Sequence, residues 1–321
     1  MKKKVALIVG VTGQDGAYLA HFLLNRGYFV VGSSRDAEKA HRSRLEQLGI
    51  LNKMQLVTMV PNDFHSVYAT IAKIEPDEIY NLSGQSSVGL SFVEPVQTLE
   101  SIAVATLNLL ETVRLIKPKI RFFTAGSSEC FGETVSCPAT EETAFSPRSP
   151  YGVAKASAFW NVANYRDAYG LYACSGILFN HESPLRSERF VTRKIISAVC
   201  RIANGSKEQL RLGNTQIVRD WGWAPEYVEV MWLMLQRENA DDFVIATGSG
   251  HSLQAFIIKA FNEVGLDWSQ YIVVDQNLIR PTDISVSFGD ASKARRLLGW
   301  SPKVHFDEIV SRLVAAEAGS K

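Results

Sequence analysis

The chain has few of the features that mark a membrane protein, a disulfide-rich secreted protein or a metalloprotein. Its four cysteines, Cys130, Cys137, Cys174 and Cys200, form no CxxC pair and show no metal-ligand spacing. This pattern is typical of reduced thiols and not of a disulfide framework. No apolar run approaches the roughly 18 residues that suggest a transmembrane helix. We therefore expect a cytoplasmic protein with no metal site and no membrane partner.

Charge of one sign is not in excess either. Lys and Arg number 34, Asp and Glu number 33, and the net charge is +1, which gives no electrostatic reason to expect a nucleic acid partner. The start, "MKKKVALIVG", has an apolar run of five residues, too short for a signal peptide. A length of 321 residues with 46% hydrophobic composition predicts one large domain and a smaller lobe.

The first half of the chain alternates short apolar segments with amphipathic ones, which predicts an α/β fold with a Rossmann-type, doubly wound parallel sheet. After residue 180 the pattern loosens, and short strands and helices interleave. We predict a cofactor-binding domain over residues 1–180 and a smaller, mainly substrate-binding lobe over 181–321, with some segments returning to the first domain. Strands are expected at 4–10, 29–34, 54–59, 78–84, 121–127 and 172–180, helices at 17–27, 106–116 and from about Tyr151, and a surface helix or loop at 34–49.

Three glycines separate the first predicted strand from the first helix. In "VGVTGQDGAYLA" they are Gly10, Gly13 and Gly16. Glycine allows a sharp turn and a close backbone approach to a pyrophosphate, which the helix N-terminus stabilises. Glycines can also simply end a strand, but the strand–turn–helix context favours dinucleotide binding.

The end of the second strand bears on which dinucleotide binds. An NAD-preferring site usually has an acid there, whereas this chain has Ser33, Ser34 and Arg35, which suit a 2′-phosphate. Arg35 could instead be a solvated surface residue, and Asp36 beside it could partly neutralise it. NADP is the favoured prediction, and its strictness over NAD stays open.

Tyr151 and Lys155 are four residues apart on the helix predicted from "SPYGVAKAS". Both then point to one face, about 6 Å apart along the axis. A nearby ammonium lowers the pKa of a phenol and makes it available as a base near neutral pH. A further carboxylate, Glu129, follows Ser127 at the end of the fifth strand, where it could also merely cap a helix start.

These residues and their surroundings resemble the extended short-chain dehydrogenases/reductases and, within them, the GDP-mannose 4,6-dehydratase family. Similar segments cover nearly the whole chain, and "ILFNHESP" and "RDWG" are the most specific. The other matching segments include "VALIVGVTGQDGAYLA", "DEIYNLSGQSSV", "GSSECFG", "SPYGVAKA", "FVTRKI" and "GDASKARRLLGW".

The resemblance implies an NADP-dependent hydro-lyase that converts GDP-D-mannose to GDP-4-keto-6-deoxy-D-mannose, with hydride passing from C4 to NADP⁺ and then to C6. Tyr151 would deprotonate the 4-hydroxyl with Lys155 beside it, and Ser127 would hydrogen-bond the developing ketone. Glu129 would be the base at C5 that drives the loss of water, a step that a simple reductase does not need.

The resemblance also implies the residues that bind the two ligands. Lys194, Arg219 and Arg280 could neutralise a diphosphate, and Asn214 could bond a base edge, although Arg280 could be a solvated cation. The implied cofactor-binding residues are Gly10, Thr12, Gly13, Gln14, Asp15, Gly16, Arg35, Leu82, Ser83, Gln85, Tyr151, Lys155, His181 and Arg186. The implied substrate-binding residues are Ser86, Ser127, Asn180, Val191, Lys194, Gly213, Asn214, Arg219 and Arg280.

The chain departs from the family pattern at several positions. Asp36 stands where the family commonly has a second arginine, followed by a long loop that reaches a neighbouring subunit's cofactor. The difference weakens the case for a tetramer built through this loop, so we expect a homodimer and leave a tetramer open. "MVPNDFHS" replaces the family's Gly-Asp-Leu, with Asp63 as a candidate adenine contact. Ser87, Leu185 and Trp223 also differ, so a related substrate such as a GDP-manno-heptose is an alternative.

Two other functions stay open at this point. A reductase or epimerase acting on a GDP-4-keto-6-deoxy sugar would keep Tyr151 and Lys155 but would not need Glu129. A non-enzymatic NADP-binding sensor or scaffold would be expected to lose one of these three residues, and all three are present.

Overall fold

The structure, a computed structural model, describes residues 3–135 and 137–319. The strands are β1 (Val5–Val9), β2 (Phe29–Ser34), β3 (Gln55–Thr58), β4 (Glu78–Asn81), β5 (Arg121–Ala125), β6 (Ala173–Leu178), β7 (Asn180–Glu182), β8 (Leu210–Leu212), β9 (Val218–Trp223), β10 (Phe243–Ile245), β11 (Gly250–Ser252), β12 (Ile272–Val274) and β13 (Val286–Ser287). The α-helices are α1 (Gln14–Asn25), α2 (Ser43–Gln47), α3 (Phe64–Ile74), α4 (Val88–Val93), α5 (Pro95–Leu99), α6 (Ala105–Ile116), α7 (Pro150–Tyr169), α8 (Val191–Ala203), α9 (Ala224–Gln236), α10 (Leu253–Asn262), α11 (Ser292–Leu298) and α12 (Phe306–Ala318). A π-helical segment, Glu100–Val104, joins α5 to α6.

The main sheet confirms the predicted doubly wound fold. Within the described residues, seven strands lie in the order β10-β6-β5-β4-β1-β2-β3, and every neighbouring pair is parallel. The six predicted strands correspond to β1 to β6, and β10 adds a strand from beyond residue 180. The strand order reverses between β1 and β4, which opens a crevice at the carboxyl ends of these strands.

Helices cover both faces of this sheet, as its apolar strands require. On one face, Ile8 of β1 belongs to a core with Leu19 of α1 and Met231 of α9. On the other, Leu7 of β1 packs in a core with Leu109 of α6. Adjacent residues of one strand therefore feed opposite cores, which explains the continuous apolar run in the sequence.

The C-terminal part has a core of its own. Trp221 of β9, Phe256 of α10 and Ile309 of α12 belong to one buried cluster with residues of α8. Strand β9 pairs with β7, β11 and β13, while β8 pairs with β12. Because β7 follows β6 after one residue, this second sheet begins at the carboxyl edge of the first. Across the described part of the chain, no helix is both long and apolar enough to cross a membrane.

The mixed-charge segment 34–49 consists of a turn and the short helix α2. Asp36 accepts hydrogen bonds from the backbone N–H groups of Glu38 and Lys39, both at 3.0 Å, and its carboxylate lies 3.7 Å from the Lys39 ammonium. Asp36 therefore stabilises its own turn, and the suggestion that it neutralises Arg35 finds no support in these contacts.

Candidate active site

A cleft of about 410 Å³ lies between the carboxyl edge of the main sheet and the C-terminal part. Most of the residues proposed from the sequence line it, although they come from strand ends and helices far apart in the chain. They are Asp15, Leu82, Ser83, Gln85, Ser86, Ser127, Glu129, Tyr151, Lys155, Asn180, His181, Arg186, Val191, Lys194, Gly213, Asn214, Arg219 and Arg280. The predicted residues outside this lining are Gly10, Thr12, Gly13, Gln14, Gly16 and Arg35.

The glycine turn between β1 and α1 is packed too closely for side chains. Gly10 has a φ of 86°, and a Cβ there would lie 2.9 Å from the carbonyl oxygen of Leu82. A Cβ on Gly16 would lie 2.5 Å from the carbonyl oxygen of Gly10. Gly13 is the residue before α1, so the positive end of the helix begins at the crevice. This arrangement fits the pyrophosphate of a dinucleotide.

The side chain of Gln14, at the start of α1, is hydrogen-bonded within the protein. Its amide donates to the carbonyl oxygen of His181 at 3.3 Å and to the Asp15 carboxylate at 3.0 Å. It also accepts a hydrogen bond of 2.7 Å from the Ser183 hydroxyl. The side chain is thus engaged within the protein, where it ties the start of α1 to the segment around β7.

Asp15 and His181 form a largely buried ion pair beside the cleft. His181 Nδ1 lies 2.7 Å from the carbonyl oxygen of Phe179, and Nε2 lies 3.0 Å from the carboxylate of Asp15. Since both partners are acceptors, a doubly protonated ring satisfies both. Burial lowers the pKa of His181, but Asp15 outweighs it and the pKa is raised. Burial alone would raise the pKa of Asp15. The opposing contributions, chiefly the charge and the hydrogen bond of His181, are larger together and lower this pKa to about 2.

The helix α7 carries Tyr151 and Lys155 to the cleft. Ser149 caps it by accepting the N–H of Gly152 at 3.0 Å. Both side chains are buried, and the Lys155 ammonium lies 5.8 Å from the centroid of the Tyr151 ring. The ammonium donates to the carbonyl oxygen of Ala125, at the end of β5, at 2.7 Å. The structure therefore brings the pair together and points Lys155 at the strand end.

The pKa of Tyr151 is not lowered overall, although the Lys155 ammonium lies beside the ring. Burial raises the pKa of Tyr151 above its ordinary value, and the Ser127 side chain opposes the rise. Burial also lowers the pKa of Lys155 to about 8. The net pKa of Tyr151 is therefore raised, because desolvation of the phenol dominates, while the Lys155 ammonium is directed at the Ala125 carbonyl.

Glu129 lies in a short 3₁₀ turn, Ser128–Cys130, directly after β5. The Ser127 hydroxyl accepts the N–H of Glu129 at 3.3 Å, so the capping group of this turn is the serine and not the glutamate. Burial raises the pKa of Glu129. The charges of Arg219 and Arg280 oppose this rise, and the charge of Asp283 adds to it. A carboxylate with a raised pKa is better matched to proton transfer near neutral pH.

The opposite wall of the cleft carries cations. Arg219 of β9 is only 5% exposed, and Arg280 lies in the loop before β13. Lys194 of α8 donates to the carbonyl oxygen of Arg211 at 2.9 Å. Asn214 accepts the N–H of Gln216 at 2.9 Å through its side-chain oxygen. This wall suits a ligand with a diphosphate.

Some residues proposed from the sequence lie elsewhere. Arg35 is exposed at the end of β2, and its guanidinium forms no ion pair with a described residue. Asp63 caps α3 by accepting the N–H of His65 at 3.0 Å, and it does not line the cleft. Ser87 caps α4 at the cleft, whereas Trp223 lies outside the cleft lining with Arg312 over its ring.

Other residues at the site were not anticipated. Arg44 of α2 donates to the carbonyl oxygens of Thr12, at 3.0 Å, and Leu185, at 2.7 Å, and so ties α2 to the glycine turn. Asp283 lines the cleft near Arg280 and pairs with it. Asp283 could have been found from the sequence, because it lies three residues after Arg280, a cation proposed for the diphosphate. No local feature of the sequence marked Arg44. Arg189 and Arg211 are further unanticipated residues of the lining.

Comparison with solved structures agrees on the fold. A UDP-glucose 4-epimerase from Thermus thermophilus superposes with a TM-score of 0.87 at 23% identity, covering 99% of this chain and 100% of that one. A dTDP-glucose 4,6-dehydratase from Streptomyces venezuelae gives a TM-score of 0.87 at 21% identity, covering 98% and 97%. These likenesses show the fold, and the glycine turn and the tyrosine–lysine pair lie at one edge of its main sheet.

Comparison of sequences identifies the protein family. The family model for GDP-mannose 4,6 dehydratase matches residues 7–313. GDP-mannose 4,6 dehydratase 1 of Arabidopsis thaliana is 47% identical, over 97% of this chain and 89% of that protein. The GDP-mannose 4,6-dehydratase of Vibrio cholerae is 39% identical, over 99% and 94%. The chain belongs to the GDP-mannose 4,6-dehydratase family.

Proposed function

We propose that the protein is a hydro-lyase that converts GDP-D-mannose to GDP-4-keto-6-deoxy-D-mannose with NADP as a recycled cofactor. The observation that carries this proposal is the placement of Glu129 in the same cleft as Tyr151 and Lys155. A hydride transfer between a hydroxyl and a ketone needs the tyrosine and the lysine, whereas eliminating water needs a further base. The names of the relatives support the same reaction and substrate.

The cofactor would bind across the β1–α1 turn. The glycine turn would hold the pyrophosphate, and Asp15, Leu82, Ser83, Gln85, His181 and Arg186 would line the path to the catalytic residues. Arg35, exposed beyond β2, would meet the 2′-phosphate, and the engagement of Asp36 elsewhere supports NADP. When bound, the nicotinamide supplies the hydride acceptor for C4, the hydride donor for C6 and a positive charge.

The substrate would bind against the opposite wall. Arg219, Arg280 and Lys194 would hold the diphosphate, since guanidinium groups match phosphate oxygens in pairs. Asn214 would contact the guanine. The remaining proposed contacts are Ser86, Asn180, Val191 and Gly213, which lie along the same cleft. We propose this division, with residues 1–180 mainly for the cofactor and 181–321 mainly for the substrate.

The reaction would begin at Tyr151, which takes the proton of the 4-hydroxyl. Lys155, charged below pH about 8, stabilises the phenolate, and the Ser127 hydroxyl favours it too. The 4-ketone acidifies the C5–H bond, and Glu129 takes that proton. The proton from C5 and the hydroxyl that leaves C6 together make the water that is lost. Once C6 has been reduced, C5 takes up one proton, equal to the one that Tyr151 took from the 4-hydroxyl, so that the tyrosine and the cofactor end in their starting states and no net oxidation occurs.

We also propose that the protein is a cytoplasmic homodimer. The helices α5 and α6 both pack against α7, and these helices expose apolar side chains, with Trp160 at 62%, Val96 at 69% and Val153 at 50%. Leu99 of α5 and Leu107 of α6 are also exposed. Exposed apolar patches of this kind mark protein–protein contacts, and a second copy presents the same face.

Isotope transfer tests the proposed reaction against a reductase or epimerase. GDP-mannose carrying deuterium at C4 should give a product with that deuterium at C6, because the same hydride is removed and returned. Deuterium that appears in released NADPH, or a sugar that is not dehydrated, would contradict the proposal. A GDP-manno-heptose tested in parallel shows whether the departures at Ser87 and Leu185 select another GDP-sugar.

A further inference from the structure

One rim of the cleft is a loop, residues 84–87, that lies between β4 and α4 and has no regular secondary structure. We call it the rim loop. It includes Ser86, a proposed substrate contact, and Gln85, which was expected to bind the cofactor. A loop at a binding site presents its residues in one arrangement only when contacts with a rigid element hold it there.

The side chain of Gln85 is engaged within the protein. Its amide nitrogen donates to the carbonyl oxygen of Ser87 at 2.7 Å and to the hydroxyl of Thr98 at 3.2 Å. Its amide oxygen accepts the N–H of Ser87. Gln85 therefore closes the rim loop on itself and joins the loop to α5.

Thr98 is oriented to receive this hydrogen bond. It lies in α5, is fully buried and stands outside the cleft lining. Its hydroxyl hydrogen is used in a bond of 2.8 Å to the carbonyl oxygen of Glu94, one helical turn earlier. The hydroxyl oxygen is thus held in place with a lone pair directed at the Gln85 amide.

The π-helical segment Glu100–Val104 holds the other side of the rim loop. The Ser101 hydroxyl accepts a backbone N–H of the loop at 3.2 Å. A Cβ on Gly84 would lie 2.8 Å from a side-chain carbon of Ile102. Ile102 also belongs to the same buried cluster as Tyr151. The rim loop is therefore fixed beside the catalytic tyrosine by a π-helical turn, a rare element that often lies at functional sites.

The cofactor side of the preceding segment is anchored separately. The Ser83 hydroxyl donates to the side-chain oxygen of Asn81, at the end of β4, at 2.7 Å. The amide nitrogen of Asn81 in turn donates to the hydroxyls of Thr106 and Thr124, both at 3.1 Å. Loss of the Thr98 hydroxyl should therefore loosen the rim loop and leave Ser83 where it is.

We propose that Thr98 is a positioning residue, which holds the rim loop through Gln85 in the arrangement that presents Ser86 to the sugar of the substrate. This inference rests on the proposed function. Because Thr98 is buried behind the rim loop, its effect on the sugar passes through that loop.

The first test replaces Thr98 with Val, which keeps the shape of the side chain and removes the hydroxyl. The KM for GDP-mannose should rise about fivefold and kcat should stay within twofold, because a sugar contact is loosened and the reacting groups are not. Calorimetry with enzyme free of NADP should show the same loss for GDP-mannose. The affinities for GDP, which lacks the sugar, and for NADP⁺ should be unchanged. Thr98→Ser should restore wild-type values.

A double-mutant cycle shows whether Thr98 acts through Gln85. Gln85→Met keeps the length of the side chain without the amide and should raise the KM for GDP-mannose by itself. Thr98→Val should then add nothing in the Gln85→Met background, since the bond is already lost. Thr70→Val is the matched control: the Thr70 hydroxyl makes the same kind of bond, 2.7 Å to the carbonyl oxygen of Ser66, but in α3 and outside the cleft. It should keep wild-type values throughout.

Three results would overturn the inference. They are a wild-type KM for GDP-mannose in Thr98→Val, an equal loss of affinity for GDP, or losses that simply add in the double mutant. If Thr98→Val does not fold, Gln85→Met decides, and a wild-type KM in that variant would reject the proposal. All of these leave wild-type dehydration intact, whereas failure of the proposed function appears as no product from the wild type.

Discussion

His181 Nε2 lies 3.0 Å from the carboxylate of Asp15, and this pair joins β7 to the start of α1. The pair links the two segments that flank the cofactor side of the cleft. Because the pKa of Asp15 is lowered and that of His181 is raised, each group stabilises the fold in its charged form.

The stabilisation of the fold by this pair should decline both at acidic pH and at alkaline pH. It should be complete above the unfolded aspartate pKa of about 3.9 and below the unfolded histidine pKa of about 6.5. It should decline as pH falls toward the Asp15 pKa of about 2, and as pH rises through the raised pKa of His181. Asp15→Asn should therefore cost about 2 kcal/mol of unfolding free energy near pH 6, and less near pH 3 and pH 9.

Urea unfolding of wild type and Asp15→Asn at these pH values checks the prediction. Asp167→Asn is the control, since Asp167 is exposed and pairs loosely with Arg166 at 3.8 Å. A stability difference for Asp15→Asn that stays constant across pH would show that the two groups are not charged partners.

Replacing Glu129 with Gln should separate oxidation from dehydration. The amide keeps the size of the side chain but cannot take the C5 proton, so formation of the 6-deoxy product should fall by about a thousandfold. Oxidation at C4 should survive, and a single-turnover experiment should show NADPH absorbance that accumulates instead of cycling. Glu142→Gln, at an exposed glutamate in the loop before α7, should behave as wild type. Dehydration at the wild-type rate in Glu129→Gln would assign the base to another group.

Removing the charge of Arg35 should weaken the binding of NADP⁺ and leave the binding of NAD⁺ unchanged. If its guanidinium meets the 2′-phosphate, Arg35→Ala should weaken NADP⁺ binding by about tenfold and leave NAD⁺ binding as it was. Fluorescence titration with both dinucleotides measures this ratio. Lys39→Ala removes an exposed cation from the same segment, paired with Asp36, and should change neither affinity. Equal losses for both dinucleotides in Arg35→Ala would place the 2′-phosphate elsewhere.

The apolar face of α5–α6 and α7 should control the oligomeric state. Trp160→Glu places a charge at its most exposed large aromatic side chain and should raise the dimer dissociation constant by about thirtyfold. Light scattering coupled to gel filtration reads the mass directly. Val274→Glu alters a comparably exposed apolar residue on β12 and should leave the mass unchanged. A Trp160→Glu protein with the same mass as wild type would reject this face as the interface.

The sequence was informative wherever the structure depends on local pattern. The strands β1 to β6 were predicted from short apolar segments, and β1 is a continuous apolar run because both its faces are buried. Tyr151 and Lys155 share a helical face because of their spacing alone. The glycine turn was evident because its tight packing against Leu82 tolerates no side chain.

Contacts between distant segments could not be predicted in the same way. Strand β10 has three residues, and its partner β6 lies 65 or more residues earlier, so no local signal marks it. Asp283 meets Arg219 only because β13 pairs with β9. The raised pKa of Tyr151 depends on burial created by the whole fold, which the helical spacing between Tyr151 and Lys155 does not reveal.

The most direct test of the account is turnover of GDP-mannose with only a trace of NADP⁺. Many equivalents of GDP-4-keto-6-deoxy-mannose should form for each cofactor molecule, with no accumulation of NADPH, because the hydride taken from C4 is returned to C6. A reaction that stops after one equivalent and leaves NADPH, or that consumes NADPH stoichiometrically on a keto-sugar, would contradict the account and indicate a dehydrogenase or a reductase.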